Sequence, residues 1–395
     1  MSSLIRVRPH AQLVHESSLS WMKPRPNHAH RLAGGTRVRL IRLVALAALT
    51  VSYLYIASRA VCAKKSSNRF CYLRKLRQIT QRFGLLPTTT CSRRFVRYHA
   101  SALEQSWSQE IAKLKSDDVF WSSGCSKIEA DKVYYEEVIF GLQQYASKPY
   151  QDLSTFNLSS HEIVDDCTGA TRRIYLEPLV SFLRHPLALC VFKERDKGVL
   201  DKSYMLVPHA QEISAMTNSF KWLFDAGASV YDDGAGGASQ KWFVDTYRER
   251  GIEFDRIFCW EAEPTDAKLQ WNQTPADIKR KMTWFNIPLN AAIGHEDNPF
   301  TFIKALTKVD DYVVFKLDID MPAAEVALVQ QLMNDPELLT LIDEFYFEHH
   351  VSGSPMQWHG WGDLRDSSLP LGSIEDSYSI FTFFRKKGIR AHAWV

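Results

Sequence analysis

Three groups of side chains in this sequence have types and spacings suited to chemistry. The first lies in Trp222–Ser239, WLFDAGASVYDDGAGGAS. An apolar run ends in Asp225 and Gly227, and Asp232 and Asp233 then precede a glycine cluster at Gly234, Gly236 and Gly237. Glycines cost backbone entropy, so at the end of a buried run they mark a place where something approaches the main chain closely. The second is Glu261, near the carboxyl end of the next apolar run FDRIFCWEAEP, with Glu263 two residues on. The third joins Asp318 and Asp320 of YVVFKLDID to Glu348, His349 and His350 of FYFEHHV. Asp318, Asp320, His349 and His350 are candidates for taking a proton from a hydroxyl. An acid at the end of a second strand suits ribose hydroxyls. An acidic first loop repels a pyrophosphate and favours a cationic ligand. S-adenosylmethionine meets that description, with a sulfonium, an ammonium, a ribose and no phosphate.

These groups must be held by strands. From residue 220 apolar strand-like runs alternate with helical patterns: KWLFDAG, FDRIFCWEAEP, MTWFNIPLNAAIG, DYVVFKLDID, IDEFYFEHHV and IRAHAWV are six strands separated by helices. Runs such as YVVFKL, apolar on both faces, belong in a parallel sheet covered on both sides. The expected fold is α/β, a Rossmann-like doubly wound, mostly parallel sheet, in which ligands bind beyond the carboxyl ends of the strands at the switch point. Three regions are expected: a basic, largely disordered 1–100, a helical and mixed extension 101–215, and the Rossmann-like domain 216–395. In the extension, Leu103, Trp107, Ile111 and Leu114 share one helix face. A seventh, edge strand is expected from segment 150–215.

The ordered series FDAGAS, IFCWEAEP, IPLNAAIG and VDDYVVFKLDIDMPAAE resembles the class I S-adenosylmethionine-dependent methyltransferases. It is most similar to their FkbM-type branch. That branch has a D-x-G strand end, an acid-ended second strand, an N-x-A-ended third strand and a K-[IL]-D-[VI]-[ED]-x-x-x-E element. The resemblance covers about 220–351. This chain departs from the pattern at Met321-Pro322, where the family has a glycine, at Glu325, which comes one residue later, and in the first-loop insertion VYDDGAGGA. The resemblance implies S-adenosyl-L-methionine as cofactor. Asp225 and Gly227 would line its methionine end, Glu261 would hold the ribose, and Asn290 and Ala291 would lie near the adenine. Asp318 and Asp320 would stand beside the transferring methyl, with His349 as a further catalytic residue. The implied activity is O-methylation of a carbohydrate or other small hydroxylated acceptor.

Two rival functions remain open. Asp318-Ile319-Asp320 would also serve a membrane-anchored glycosyltransferase that binds a metal and a sugar nucleotide, and a degenerate, inactive binding module is the other. A metal held by His349, His350, His359 and Asp318 is the weaker reading of these residues, and no metal ligand is assigned.

The net charge of +3 conceals an asymmetry: residues 1–100 hold 19 Lys and Arg and one acid, Glu16, and the remainder is acidic. The overall balance is therefore no nucleic-acid signal. Between Arg42 and Arg59 runs LVALAALTVSYLYIAS, residues 43–58, short for a span of roughly 17–25 residues. A signal anchor is the preferred reading, giving a single-pass protein of the Golgi or endoplasmic reticulum; a cleaved secretory signal and an organelle transit segment are the alternatives. None of the seven cysteines forms a C-x-x-C pair. One disulfide among Cys125, Cys167 and Cys190, and sequons at Asn157 and Asn272, suit a lumenal domain.

Overall fold

The computed structural model describes residues 93–113, 117–149, 151–187, 199–213, 219–232, 239–351, 361 and 369–395. The chain divides at Thr89/Thr90, and all described residues belong to the second unit. The expected anchor at 43–58 and the glycines at 234, 236 and 237 lie outside them. No helix among the described residues is long and apolar enough to cross a membrane.

The extension begins with a strand, β1 (Arg93–His99), inside the basic first hundred residues. Helices α1 (Ala102–Ile111), α2 (Asp117–Ala130) and α3 (Lys132–Ser147) follow, then strands β2 (Ser159–Asp165) and β3 (Thr171–Leu176). Ser101 caps α1 by accepting from the Glu104 amide at 3.1 Å. The helix buries Leu103, Trp107 and Ile111 of the expected face, and Leu114 lies outside the described residues. The Trp107 indole donates to the Tyr135 hydroxyl of α3 at 2.6 Å. Strands β1, β2 and β3 form their own antiparallel sheet, so segment 150–215 does not complete the larger one.

The larger sheet follows from residue 221. Its elements are β4 (Lys221–Ala226), α4 (Ser239–Glu249), β5 (Arg256–Trp260), α5 (Ala267–Gln273), α6 (Ala276–Lys279), β6 (Met282–Phe285) and α7 (Pro299–Leu306). Then come β7 (Tyr312–Leu317), α8 (Pro322–Asn334), α9 (Leu338–Leu341), β8 (Glu344–Phe347), α10 (Ile374–Lys386) and β9 (Arg390–Ala393). The six strands are all parallel, in the order β6-β5-β4-β7-β8-β9. Counted from β4 this is the 3-2-1-4-5-6 order of doubly wound nucleotide-binding folds, with the switch point between β4 and β7. The central strands are buried on both faces: all six residues of β7 are buried. Phe224 stacks on Phe258 and Phe315 on Phe345, with ring centroids 5.4 and 5.6 Å apart. Strand β6 stops at Phe285, several residues earlier than the apolar run suggests.

The extension is bound to the end of the sheet by buried charges. Arg385 of α10 has no exposed side-chain surface. It donates to Glu104 Oε2 and Tyr98 Oη, each at 3.1 Å, and to the Glu177 carbonyl at 3.0 Å. It also reaches Glu177 Oε1 at 3.1 Å and the Ala391 carbonyl at 2.9 Å. Arg390 of β9 donates to Glu344 Oε1 at 2.6 Å and to the Tyr175 carbonyl at 3.1 Å. Burial alone would raise the Glu177 carboxyl; His392 and Arg385 outweigh it and bring it down to about 2. Burial, with Arg390 and Arg385 nearby, holds the His161 imidazole well below its ordinary value.

Removing one partner from such a network strands the others in low dielectric. Arg385→Met is expected to lower unfolding stability by about 3–5 kcal/mol in a denaturant titration. Acid acts through the same groups. Glu177 is depressed from 4.5 to about 2, so its contribution is present above 4.5 and lost as pH falls toward 2. His161 stays neutral in the fold, so stability drops as pH falls below about 6.5, by up to about 1.4 kcal/mol per pH unit. His161→Phe is expected to make the fall of the unfolding midpoint between about pH 6.5 and 4.5 shallower, where Glu177 does not yet act, and to leave the part contributed by the depressed His349.

Candidate active site

A cleft of about 540 Å³ opens at the carboxyl ends of β4, β5, β6 and β7, the place the fold class designates. Its wall includes Gly227, Glu261, Glu263, Asp318 and Asp320. Four carboxylates therefore line it, and among the described residues no lysine or arginine does. The segment Ile287–Leu289 supplies apolar surface.

The floor is built by main chain. The amides of Gly227 and Ala228 both donate to the Trp260 carbonyl, at 3.0 and 2.9 Å, and the Asp318 amide donates to Ala226 O at 3.0 Å. Gly227 has φ +84°, and a Cβ there would stand 1.4 Å from the Asp318 carbonyl oxygen. Glycine is needed at this place for its positive φ and for the closeness of the β7 loop.

Asp225 was expected to line the donor's methionine end. The structure instead places its carboxylate beneath the floor, fully buried and 3.5 Å from the buried Lys316 Nζ. The two are register partners on β4 and β7. Lys316 also reaches Asp318 Oδ2 at 3.0 Å and the Gly227 carbonyl at 2.5 Å. Burial works against its charge, and Asp318 and Asp225 outweigh burial and raise its pKa. In turn Lys316 overcomes the burial of Asp318 and lowers that carboxyl below its ordinary range. Asp225 thus holds the lysine that holds the first loop.

Glu261 does reach the cleft. Its Oε2 accepts from the Ser229 amide at 2.6 Å and its Oε1 from the Glu263 amide at 2.7 Å. The first bond fixes Ser229 at φ +52°. Each oxygen has a second lone pair for a ligand hydroxyl. Asn290 and Ala291 do not line the cleft. Asn290 Oδ1 accepts from the Ala292 amide at 2.8 Å, and the Ala291 carbonyl accepts from Gln331. The early end of β6 leaves both in the following loop.

Beyond β8 the side chains alternate. His349 was expected at the catalytic rim; it turns toward α10, its Nδ1 2.8 Å from Ser377 Oγ and its ring stacked on Phe347. Burial first, then the charge of His350, pushes its imidazole down to about 3. Its neighbours point the other way. His350 Nε2 lies 3.3 Å from Asp320 Oδ1 and 3.7 Å from Glu348 Oε2, and its Nδ1 is 2.9 Å from Glu325 Oε2. Burial opposes charge on this ring, but Asp320 and Glu325 raise it to about 10. Glu348 Oε1 accepts from Arg184 Nη2 at 3.0 Å and from the Trp361 indole at 2.8 Å. Burial and the Asp318 charge push the Glu348 carboxyl up to about 8. Asp320, at φ +52°, is the exposed member of the group.

Four expected residues, Gly227, Glu261, Asp318 and Asp320, share the cleft. Lys316, Glu325 and Arg184 were not anticipated as contributors; His350 was, as a candidate base or metal ligand, and of Glu348 only its place at the rim. The sequence signals for Lys316 were a lone charge inside an apolar strand and its place as the lysine of the K-[IL]-D element, to which no role was given. His359, a candidate ligand in the sequence, lies outside the described residues. Cys259 is a free, buried core thiol, whereas Cys125 and Cys167 are each disulfide-bonded.

Two substitutions test this construction by denaturant unfolding. Gly227→Ala is expected to destabilise by at least about 1–3 kcal/mol, because both φ and the Asp318 carbonyl forbid a Cβ. Lys316→Met is expected to cost about 3–5 kcal/mol, because Asp225 remains buried without its cation. A double change with Asp225→Asn should recover part of that loss.

No protein-family model, no curated protein and no solved structure matches this chain.

Proposed function

We propose that the chain is an S-adenosylmethionine-dependent methyltransferase acting on the oxygen of a carbohydrate or other small hydroxylated molecule. The observation that carries this reading is the charge of the cleft: four carboxylates, and among the described residues no cationic side chain, line it at the switch point of a doubly wound sheet. A pyrophosphate would meet repulsion there, whereas a sulfonium and an ammonium meet attraction. The FkbM-type resemblance of about 220–351 points the same way. In this reading Glu261 takes the ribose hydroxyls, the Gly227 loop lies under the amino-acid end, and Asp318 faces the sulfonium.

The reaction is an in-line displacement. An acceptor oxygen forms a bond to the methyl carbon as the carbon–sulfur bond breaks, and that bond's electron pair returns to sulfur as a neutral thioether. The hydroxyl proton passes to Asp320, the exposed carboxylate at the lip. Alignment of the two reactants supplies most of the effect, up to about 7–11 kcal/mol, and the base about 10²–10⁴-fold. Asp318, held ionised by Lys316, stabilises the cationic donor and is a poor base. The disulfide bonds of Cys125 and Cys167 support an oxidising, lumenal location.

A second reading is favoured by the nearness of Asp318 and Asp320 to one another and to His350: a transferase that binds a sugar nucleotide through a metal. The four carboxylates of the cleft wall, which repel a pyrophosphate, weigh against it.

Calorimetric titration of the full chain separates the two. S-adenosylmethionine is expected to bind one-to-one, and Glu261→Ala to weaken it about tenfold or more, by loss of hydrogen bonds to ribose. NAD and sugar nucleotides are expected not to bind. Metal-dependent binding of a sugar nucleotide with no binding of S-adenosylmethionine would overturn the proposal.

A further inference from the structure

Beside the cleft, four side chains from two strand ends point at one another. One ligand atom from each of Asp318, Asp320, Glu348 and His350 lies within 4.8 Å of every other. Donor atoms about 2.0–2.4 Å from a common ion lie roughly 3–4.8 Å apart, so the four are at coordinating separations.

A cluster of acids alone would decide nothing. The independent sign is His350. Its side chain has no exposed surface, and its Nε2 makes no hydrogen bond although it faces Asp320 and Glu348. The other ring nitrogen is engaged: Nδ1 is 2.9 Å from Glu325 Oε2. Nδ1–H donates to that carboxylate and leaves Nε2 as the ring atom directed into the cluster, which is how metal-bound imidazoles are oriented; a cation there takes the place of the Nε2 proton that the surrounding acids otherwise favour. Glu325 is itself fixed, since its Oε1 accepts from the Ile319 amide at 3.0 Å. Glu348 is arranged the same way. Arg184 and Trp361 occupy Oε1, and Oε2 is the oxygen turned to His350. Both buried ligands are thus oriented from behind.

We infer that Asp318, Asp320, Glu348 and His350 form a divalent-cation site. Three carboxylates and one imidazole suit a hard to intermediate ion of the Mn²⁺ class, with six positions to fill. Four protein ligands leave two open. Asp318 and Asp320 belong to the cleft wall as well, so the open positions face the cleft, where a hydroxyl or a pair of adjacent hydroxyls can replace water. The cation then stabilises an acceptor alkoxide, and a monodentate Asp320 keeps its second oxygen for the proton. The site itself does not depend on the identity of the donor; its use on an acceptor rests on the methyltransferase reading.

The test is a titration of the full chain with Mn²⁺, followed by electron paramagnetic resonance and by water-proton relaxation, with no donor present. One tightly held Mn²⁺ per chain is expected, with enhanced water relaxation from its exchangeable positions. Asp320→Asn and His350→Gln are each expected to weaken binding about tenfold or more. Asp320 is exposed at 66% of its side-chain surface, and asparagine tolerates its positive φ, so that variant keeps the fold. Absence of stoichiometric binding to the unsubstituted chain would overturn the inference, as would binding that Asp320→Asn leaves unchanged. Bound Mn²⁺ without enhanced relaxation would mean a closed, structural ion and would overturn its role toward an acceptor. Failure of S-adenosylmethionine to bind while Mn²⁺ binds would sink the methyltransferase reading and leave the site standing.

Discussion

Lys316 enters a central strand of a parallel sheet, with Phe315 and Leu317 on either side of it in the chain, and it is kept there by what surrounds its ammonium. Asp225 on β4 sits beside it, Asp318 closes over it, and the Gly227 carbonyl accepts from it. A charge buried alone would cost several kcal/mol, so the three groups stand or fall together. Their consequence is geometric. Two loops that leave the sheet in different directions are drawn to one ammonium, and Gly227 has to pass against the Asp318 carbonyl. The cleft exists because this pair of loops is tied at its base and open above.

The same arrangement sorts the acids. Asp225 lies buried against the lysine, beneath the cleft. Asp318 keeps one side toward Lys316 and shows the other to the cleft. Glu261 holds its own loop through the Ser229 amide while lining the wall. On the far side the extension takes part, because Arg184 reaches across to Glu348 and to the Trp394 carbonyl at 2.7 Å. The extension is therefore more than an added layer. Its Glu104 and Glu177 neutralise Arg385, and its Arg184 orients an acid at the site.

The six strands and their switch point were legible in the sequence because buried parallel strands read as unbroken apolar runs, and YVVFKL and EFYF have no exposed face. Gly227, Glu261 and Asp318 were legible because they end such runs. Lys316 was not, since its meaning depends on register with Asp225 across β4 and β7, roughly ninety residues away in the chain. His349 and His350 differ only in parity, and the side that faces the cleft is fixed by where β8 stops. Asn290 and Ala291 were misplaced because the third apolar run continues past Phe285, where pairing ends. The Arg385 and Arg390 networks join residues some two hundred or more positions apart, which no local pattern encodes.

A crystal structure of the full chain grown with S-adenosylmethionine tests the central claim most directly. The account predicts ribose hydroxyls on Glu261, the sulfonium beside Asp318, and Lys316 still seated on Asp225 below. Donor density on any other surface, or a Lys316 swung into the cleft to meet a phosphate, would contradict it.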